Sequence, residues 1–123
     1  MFKILIVEDD TELCQLFSHV LEKNGYHTRM VSNGQEALDA LAEEYVELII
    51  SDIMMPVMNG IEAARNIRRK EKNGGKEIPI IAMTAQSERE SKESCSLAGM
   101  NAYISKPVDP ENLIRILRMY QKR

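Results

Sequence analysis

The chain has 123 residues, 44% hydrophobic and 28% charged, enough for one core of ordinary domain size and too few for two. Its 16 Lys plus Arg against 19 Asp plus Glu leave a net charge of -3, which argues against a face that wraps nucleic acid or an anionic membrane. The apolar part of the N-terminal FKILIVEDD is too short for a signal peptide and no later run is long enough to span a bilayer, so the expected setting is the cytoplasm.

KILIV (3–7) predicts a short apolar strand, and Leu13, Leu16, Phe17, Val20 and Leu21 then recur at helical spacing until Gly25. YHTRMV (26–31) alternates as a more exposed strand, Ala37, Leu38 and Leu41 mark a second helix, and LIIS (48–51) is a third strand. A third helix begins near Gly60, carries Ile61, Ala64 and Ile67, and gives way to the charged loop KEKNGGKE. IPIIAM (78–83) is the fourth strand, with Pro79 tolerable only near its start. Residues 88–98, ERESKESCSLA, permit a helix but carry almost no apolar stripe, and Gly99 ends them. AYIS (102–105) is the fifth strand, and Asp109 with Pro110 forms an N-cap and first-turn pair opening a last helix with Leu113, Ile114 and Leu117 inward. Strands alternating with helices predict an α/β fold, a parallel sheet covered on both faces, in a single domain over residues 1–123.

In open sheets of this kind chemistry gathers beyond the C-terminal ends of the strands, above all where the strand order reverses. Glu8, Asp9 and Asp10 follow the first strand, Asp52 the third, Thr84 the fourth and Lys106 the fifth. Each has a plain reading alone: EDD as helix capping, Asp52 as a loop cap, Lys106 as a solvated charge, Thr84 as a hydroxyl bonding its own backbone. Together they say more. Carboxylates at neighbouring strand ends repel, and a hard divalent cation with oxygen ligands relieves them, a description Mg2+ fits. A lysine and a hydroxyl opposite supply positive charge and a donor for an anion, which is what phosphoryl transfer requires.

ILIVEDD, ISDIMMPVMNG, AMTA and YISKPVDP resemble, in order and spacing, the receiver domain of two-component response regulators, and the resemblance covers essentially residues 2–121. It implies a three-layer, doubly wound (βα)5 sheet of the flavodoxin-like kind with strand order 2-1-3-4-5. It further implies that Asp52 is phosphorylated by a sensor histidine kinase or a histidine phosphotransfer protein. Mg2+ would be held by the Asp9 and Asp52 carboxylates and the Met54 carbonyl, with Glu8 acting through metal-bound water. Lys106 would contact the phosphoryl group, Thr84 would turn towards it, Tyr103 would swing with it, and the Lys106–Pro107 bond would be cis. Met54 and Gln86 would flank the water that removes the phosphoryl group, so the domain would promote only its own phosphorylation and dephosphorylation. The face formed by the fourth helix, fifth strand and fifth helix would then change shape for a partner or for a homodimer.

The sequence departs little from that pattern: its acidic pair is Glu-Asp rather than Asp-Asp, and Asn59 stands where Asp is frequent. Residues 2–25 resemble receivers of transcription regulators, whereas AGMNAYISKPVDPENL resembles receivers attached to hybrid kinases, so the output is open. A Mg2+-dependent hydrolase phosphorylated on aspartate would want a second aspartate two residues beyond Asp52, where Met54 stands. A flavin or nucleotide binder would want a Gly- or hydroxyl-rich loop where VEDDTE stands. Cys14 and Cys95 read as reduced thiols, Met54, Met55 and Met58 as packing rather than a copper site, and His19 and His27 as surface residues.

Overall fold

The structure, a computed structural model, describes residues 2–52, 60–71, 77–84, 99–105 and 108–121, with the backbone alone at positions 60, 61, 84 and 105. Its elements are β1 (Lys3–Val7), α1 (Thr11–Lys23), β2 (His27–Val31), α2 (Gly34–Glu43), β3 (Leu48–Asp52), α3 (Gly60–Glu71), β4 (Ile80–Thr84), β5 (Ala102–Ser105) and α4 (Pro110–Gln121). The helix predicted over 88–98 lies outside the described residues.

All strand pairs are parallel, in the order β2-β1-β3-β4-β5. The α/β class and the strand order are as expected. Two layers of helix sandwich the sheet because alternate strand residues face opposite ways. Leu5, Val7, Ile49, Ile80 and Ala82 pack with Ala37, Leu38, Ala64 and Ile67 of α2 and α3. Ile4, Ile6, Leu48, Ile50, Ile81 and Met83 pack with Phe17 and Leu21 of α1 and Leu113, Ile114 and Leu117 of α4. β3 is buried at all five positions, which is why its Leu48, Ile49 and Ile50 read as a continuous apolar run rather than an alternating one.

Short polar segments set the helix ends. Asp10 caps α1 by accepting from Leu13 N at 3.1 Å, and Asn33 caps α2 by accepting from Glu36 N at 2.9 Å. The Glu36 carboxylate reaches back to Ser32 N at 2.9 Å and Ser32 Oγ at 2.8 Å, and these bonds hold its pKa below the usual carboxylate value. Asp109 caps α4 as predicted, accepting from Glu111 N at 3.2 Å.

One exposure and three boundaries differ from the reading of the sequence. Leu16 is 52% exposed, because the buried stripe of α1 is Cys14, Phe17, Ser18 and Leu21 and a residue two positions from Cys14 and Ser18 points away from it. β2 starts at His27, since Tyr26 N is taken by the Leu21 carbonyl at 3.1 Å as α1 closes. α3 continues into the predicted loop as far as Glu71, and β4 begins at Ile80 rather than at 78. Glu71 explains both: its Oε2 accepts from Ile78 N at 2.8 Å, so Ile78 anchors the helix end instead of joining the sheet.

Candidate functional site

The site is built by register. β1 pairs with β3 as far as Val7 opposite Ser51, so the next residues on each strand, Glu8 and Asp52, emerge beside each other. This lies where chain order reverses, since β2 is on one side of β1 and β3 on the other. Glu8 N donates to the Val31 carbonyl at 3.1 Å, which carries the pairing with β2 one residue past β1. Asp10 is committed to capping α1, and its N–H donates to Glu8 Oε2 at 3.3 Å.

Glu8 is 2% and Asp52 4% exposed, while Asp9 is exposed. Carboxylate oxygens of the three lie within 4.8 Å of one another. Two unit charges about 5 Å apart at an effective dielectric of about 20 repel by about 3 kcal/mol. That exceeds the roughly 1 kcal/mol of an ordinary hydrogen bond, so the arrangement favours a cation. The donor set suits Mg2+: it is all oxygen and anionic, open to water at Asp9, and its spread is close to the roughly 4.2 Å between opposite ligands at about 2.1 Å from the ion.

The other residues singled out in the sequence divide into two groups. Thr84 ends β4 opposite Ser105, on the strand next to Asp52, and its backbone alone is described. Tyr103 lies on β5 opposite Ala82, half-buried against the core under α2 and α3. Met54, Met55, Met58, Gln86, Cys95 and Lys106 with Pro107 lie outside the described residues. His19 and His27 are exposed as expected.

Two neighbours of the site were given no part in it by the sequence: Ser51, which was not picked out, and Cys14, which reads as an ordinary reduced thiol. Ser51 is buried, and its Oγ donates to the Asp52 carbonyl at 2.9 Å; the available signal was a lone hydroxyl in an aliphatic run. Cys14 is a free, buried thiol whose pKa is pushed up to about 11, first by burial and then by the Glu8 carboxylate. With Glu8, Thr11 and Met30 it lines a cavity of about 190 Å³ beside the acidic cluster.

The chain belongs to the response regulator receiver domain family, which matches residues 4–118. It is therefore a receiver domain of two-component signalling. It is 34% identical over 117 residues to the polar-differentiation response regulator DivK of Brucella ovis, covering 95% of this chain and 94% of that protein. It also matches parts of longer proteins, spanning 15% of the length of a probable histidine kinase of Oryza sativa subsp. indica at 35% identity. The receiver domain of sensor histidine kinase PA1611 from Pseudomonas aeruginosa, with a magnesium ion coordinated in its active site cleft, superposes with a TM-score of 0.89 at 34% identity, over 99% of this chain and 98% of that one. A chain in the co-crystal of the Saccharomyces cerevisiae phosphotransfer protein Ypd1 with the receiver domain of Ssk1 superposes with a TM-score of 0.92 at 31% identity, over 97% and 88%. No helix among the described residues is long and apolar enough to cross a membrane.

Proposed function

We propose that Asp52 accepts a phosphoryl group from the phosphohistidine of a sensor histidine kinase or a histidine phosphotransfer protein, with Mg2+ held by Glu8, Asp9 and Asp52. One observation carries this reading: a buried aspartate ends the central strand of a receiver fold with two further carboxylates within 4.8 Å. An Asp52 oxygen attacks phosphorus as the P–N bond breaks. The electron pair leaves on the imidazole, which takes up a proton, and Asp52 becomes an acyl phosphate.

A carboxylate is a weak nucleophile, so the protein contributes mainly by positioning and by handling charge. Mg2+ held there would supply positive charge against the cluster and the transferring group. Asp9 and Asp52 would hold the ion together with the Met54 carbonyl, and Glu8 would act through metal-bound water. Lys106 supplies a cation to the phosphoryl oxygens, and the Thr84 hydroxyl donates to them. Tyr103 moves inward once Thr84 does, and the face containing β5 and α4 changes shape for a partner or a second copy. Attack of water on phosphorus returns Asp52 and inorganic phosphate, so the domain acts only on itself. We further place residues 1–123 as one cytoplasmic domain that binds neither nucleic acid nor membrane directly. The magnesium in the PA1611 receiver and the phosphotransfer partner in the Ypd1 co-crystal support the metal and partner assignments.

The test is chemical. Acetyl phosphate or phosphoramidate with Mg2+ adds a single acid-stable, base-labile phosphoryl group by intact mass, and Asp52→Asn prevents it. Full labelling of the variant would overturn the assignment.

A further inference from the structure

Ser51 is one of four buried polar or charged residues described, with Glu8, Ser18 and Asp52. It is 3% exposed, and its register partners Val7 and Ala82 belong to the core under α2 and α3. Its side chain therefore faces the opposite side of the sheet from that of Asp52. Burying a hydroxyl costs about 1–3 kcal/mol when it finds no partner, and an aliphatic residue like Leu48, Ile49 or Ile50 would suit a buried strand better. Packing does not explain a serine here. Its hydrogen bond does: Oγ reaches round the backbone to the carbonyl of Asp52 at 2.9 Å.

That carbonyl belongs to the last residue of β3. The ladder with β1 ends at Val7 opposite Ser51, whereas Asp52 still pairs with Met83 of β4. The Asp52 carbonyl is thus at a strand end, and a hydrogen bond that holds it restrains the main chain from which the carboxylate projects. A misplacement of about 1 Å in a reacting group costs up to about 10²-fold in rate.

We propose that Ser51 is a positioning residue for phosphorylation, its hydroxyl fixing the Asp52 main chain so that the carboxylate meets phosphorus in line. The inference rests on the reading of Asp52 as the phosphoacceptor. It concerns the rate of the step rather than affinity for the donor, because Ser51 is on the far face of the sheet from the carboxylates.

The experiment compares wild type with Ser51→Ala, Ser51→Cys and Ser51→Thr in the whole chain, following labelling by acetyl phosphate over a concentration series at saturating Mg2+. Cysteine keeps the volume but is a weak donor, and threonine keeps the hydroxyl. Ser51→Ala and Ser51→Cys lower the maximal rate by about 3- to 10-fold, the scale of one lost hydrogen bond. The half-saturating donor concentration stays the same, and Ser51→Thr recovers most of the rate. If the alanine variant does not fold, the cysteine variant decides. Wild-type maximal rates in both, an effect only on half-saturation, or a threonine variant as slow as alanine would each overturn the proposal. Labelled wild type with unaffected variants removes this inference alone; wild type that takes no phosphoryl group on Asp52 removes the phosphoacceptor reading as well.

Discussion

Arg68 Nε donates to the Gly99 carbonyl at 2.8 Å, and a Cβ built on Gly99 would lie 2.7 Å from Arg68 Cγ. The pair sits in a polar node away from the acidic site. Arg68 also donates to Glu71 Oε1 and Asn101 Oδ1, both at 2.7 Å, and Asn101 Oδ1 accepts from Ile80 N at 2.8 Å. Tyr120 OH adds a bond to the Asn101 carbonyl at 3.0 Å. One guanidinium thereby joins the end of α3 to the segment entering β5, and Asn101 ties that segment to the start of β4. Gly99 has φ +90, where a side chain costs about 1–2 kcal/mol before any contact is counted. Gly99→Ala is expected to lower stability by about 2–4 kcal/mol and Arg68→Ala by about 2–3 kcal/mol. The double variant should lose less than the sum, because removing Arg68 clears the space that the new methyl group needs. Urea midpoints of the four proteins check this; strictly additive losses would contradict it.

The proposed Mg2+ site predicts a link between metal binding and stability through the three carboxylates. Asp9→Ala removes the exposed member of the cluster, so Mg2+ binding and labelling of Asp52 should fall together. The same variant should melt higher than wild type without metal, because one like charge has gone from beside two buried ones. Wild type in turn should gain melting temperature as Mg2+ is added. Metal titration followed by thermal melts reads all three; an Asp9→Ala protein that melts lower without metal would remove the repulsion argument.

Cys14 provides a pH test independent of phosphorylation. Its folded pKa of about 11 lies above the ordinary value of 9.0. The folded state therefore favours the protonated thiol, and this contribution to stability is complete below about pH 9 and is lost as pH rises to about 11. Cys14→Ala should show a shallower fall in melting temperature than wild type across that window. Folded wild type should also resist iodoacetamide near pH 8 at Cys14, because the thiol is both buried and protonated. Rapid alkylation of Cys14 without unfolding would contradict the burial argument.

The proposed switch predicts a spatial pattern. Beryllofluoride standing in for the phosphoryl group should shift amide resonances from the ends of β3 and β4 through residues 84–106. Thr84→Ala should blunt the shifts near Tyr103 while still permitting phosphorylation of Asp52. Shifts confined to the immediate surroundings of Asp52, or a far pattern indifferent to Thr84→Ala, would rule out this route of coupling.

The order of elements was legible along the chain because β1, β3 and β4 are buried on both faces and so appear as aliphatic runs, with helical spacing between them. Glu8, Asp9 and Asp52 were legible as a group because a strand that ends on charge in an α/β sheet has its end at the catalytic edge. Element boundaries were less so. Whether Ile78 joins the strand or ties down α3 depends on Glu71 reaching it through space, and the exposure of Leu16 depends on which stripe of α1 meets the sheet. The bond from Ser51 to its neighbour's carbonyl and the contacts of Arg68 are likewise invisible along the chain. Hydrophobic periodicity is a local property that records how much of each element is covered. Register, the approach of distant carboxylates and the choice of hydrogen-bond partner arise only when elements far apart in sequence are packed together, so the tertiary structure alone decided them.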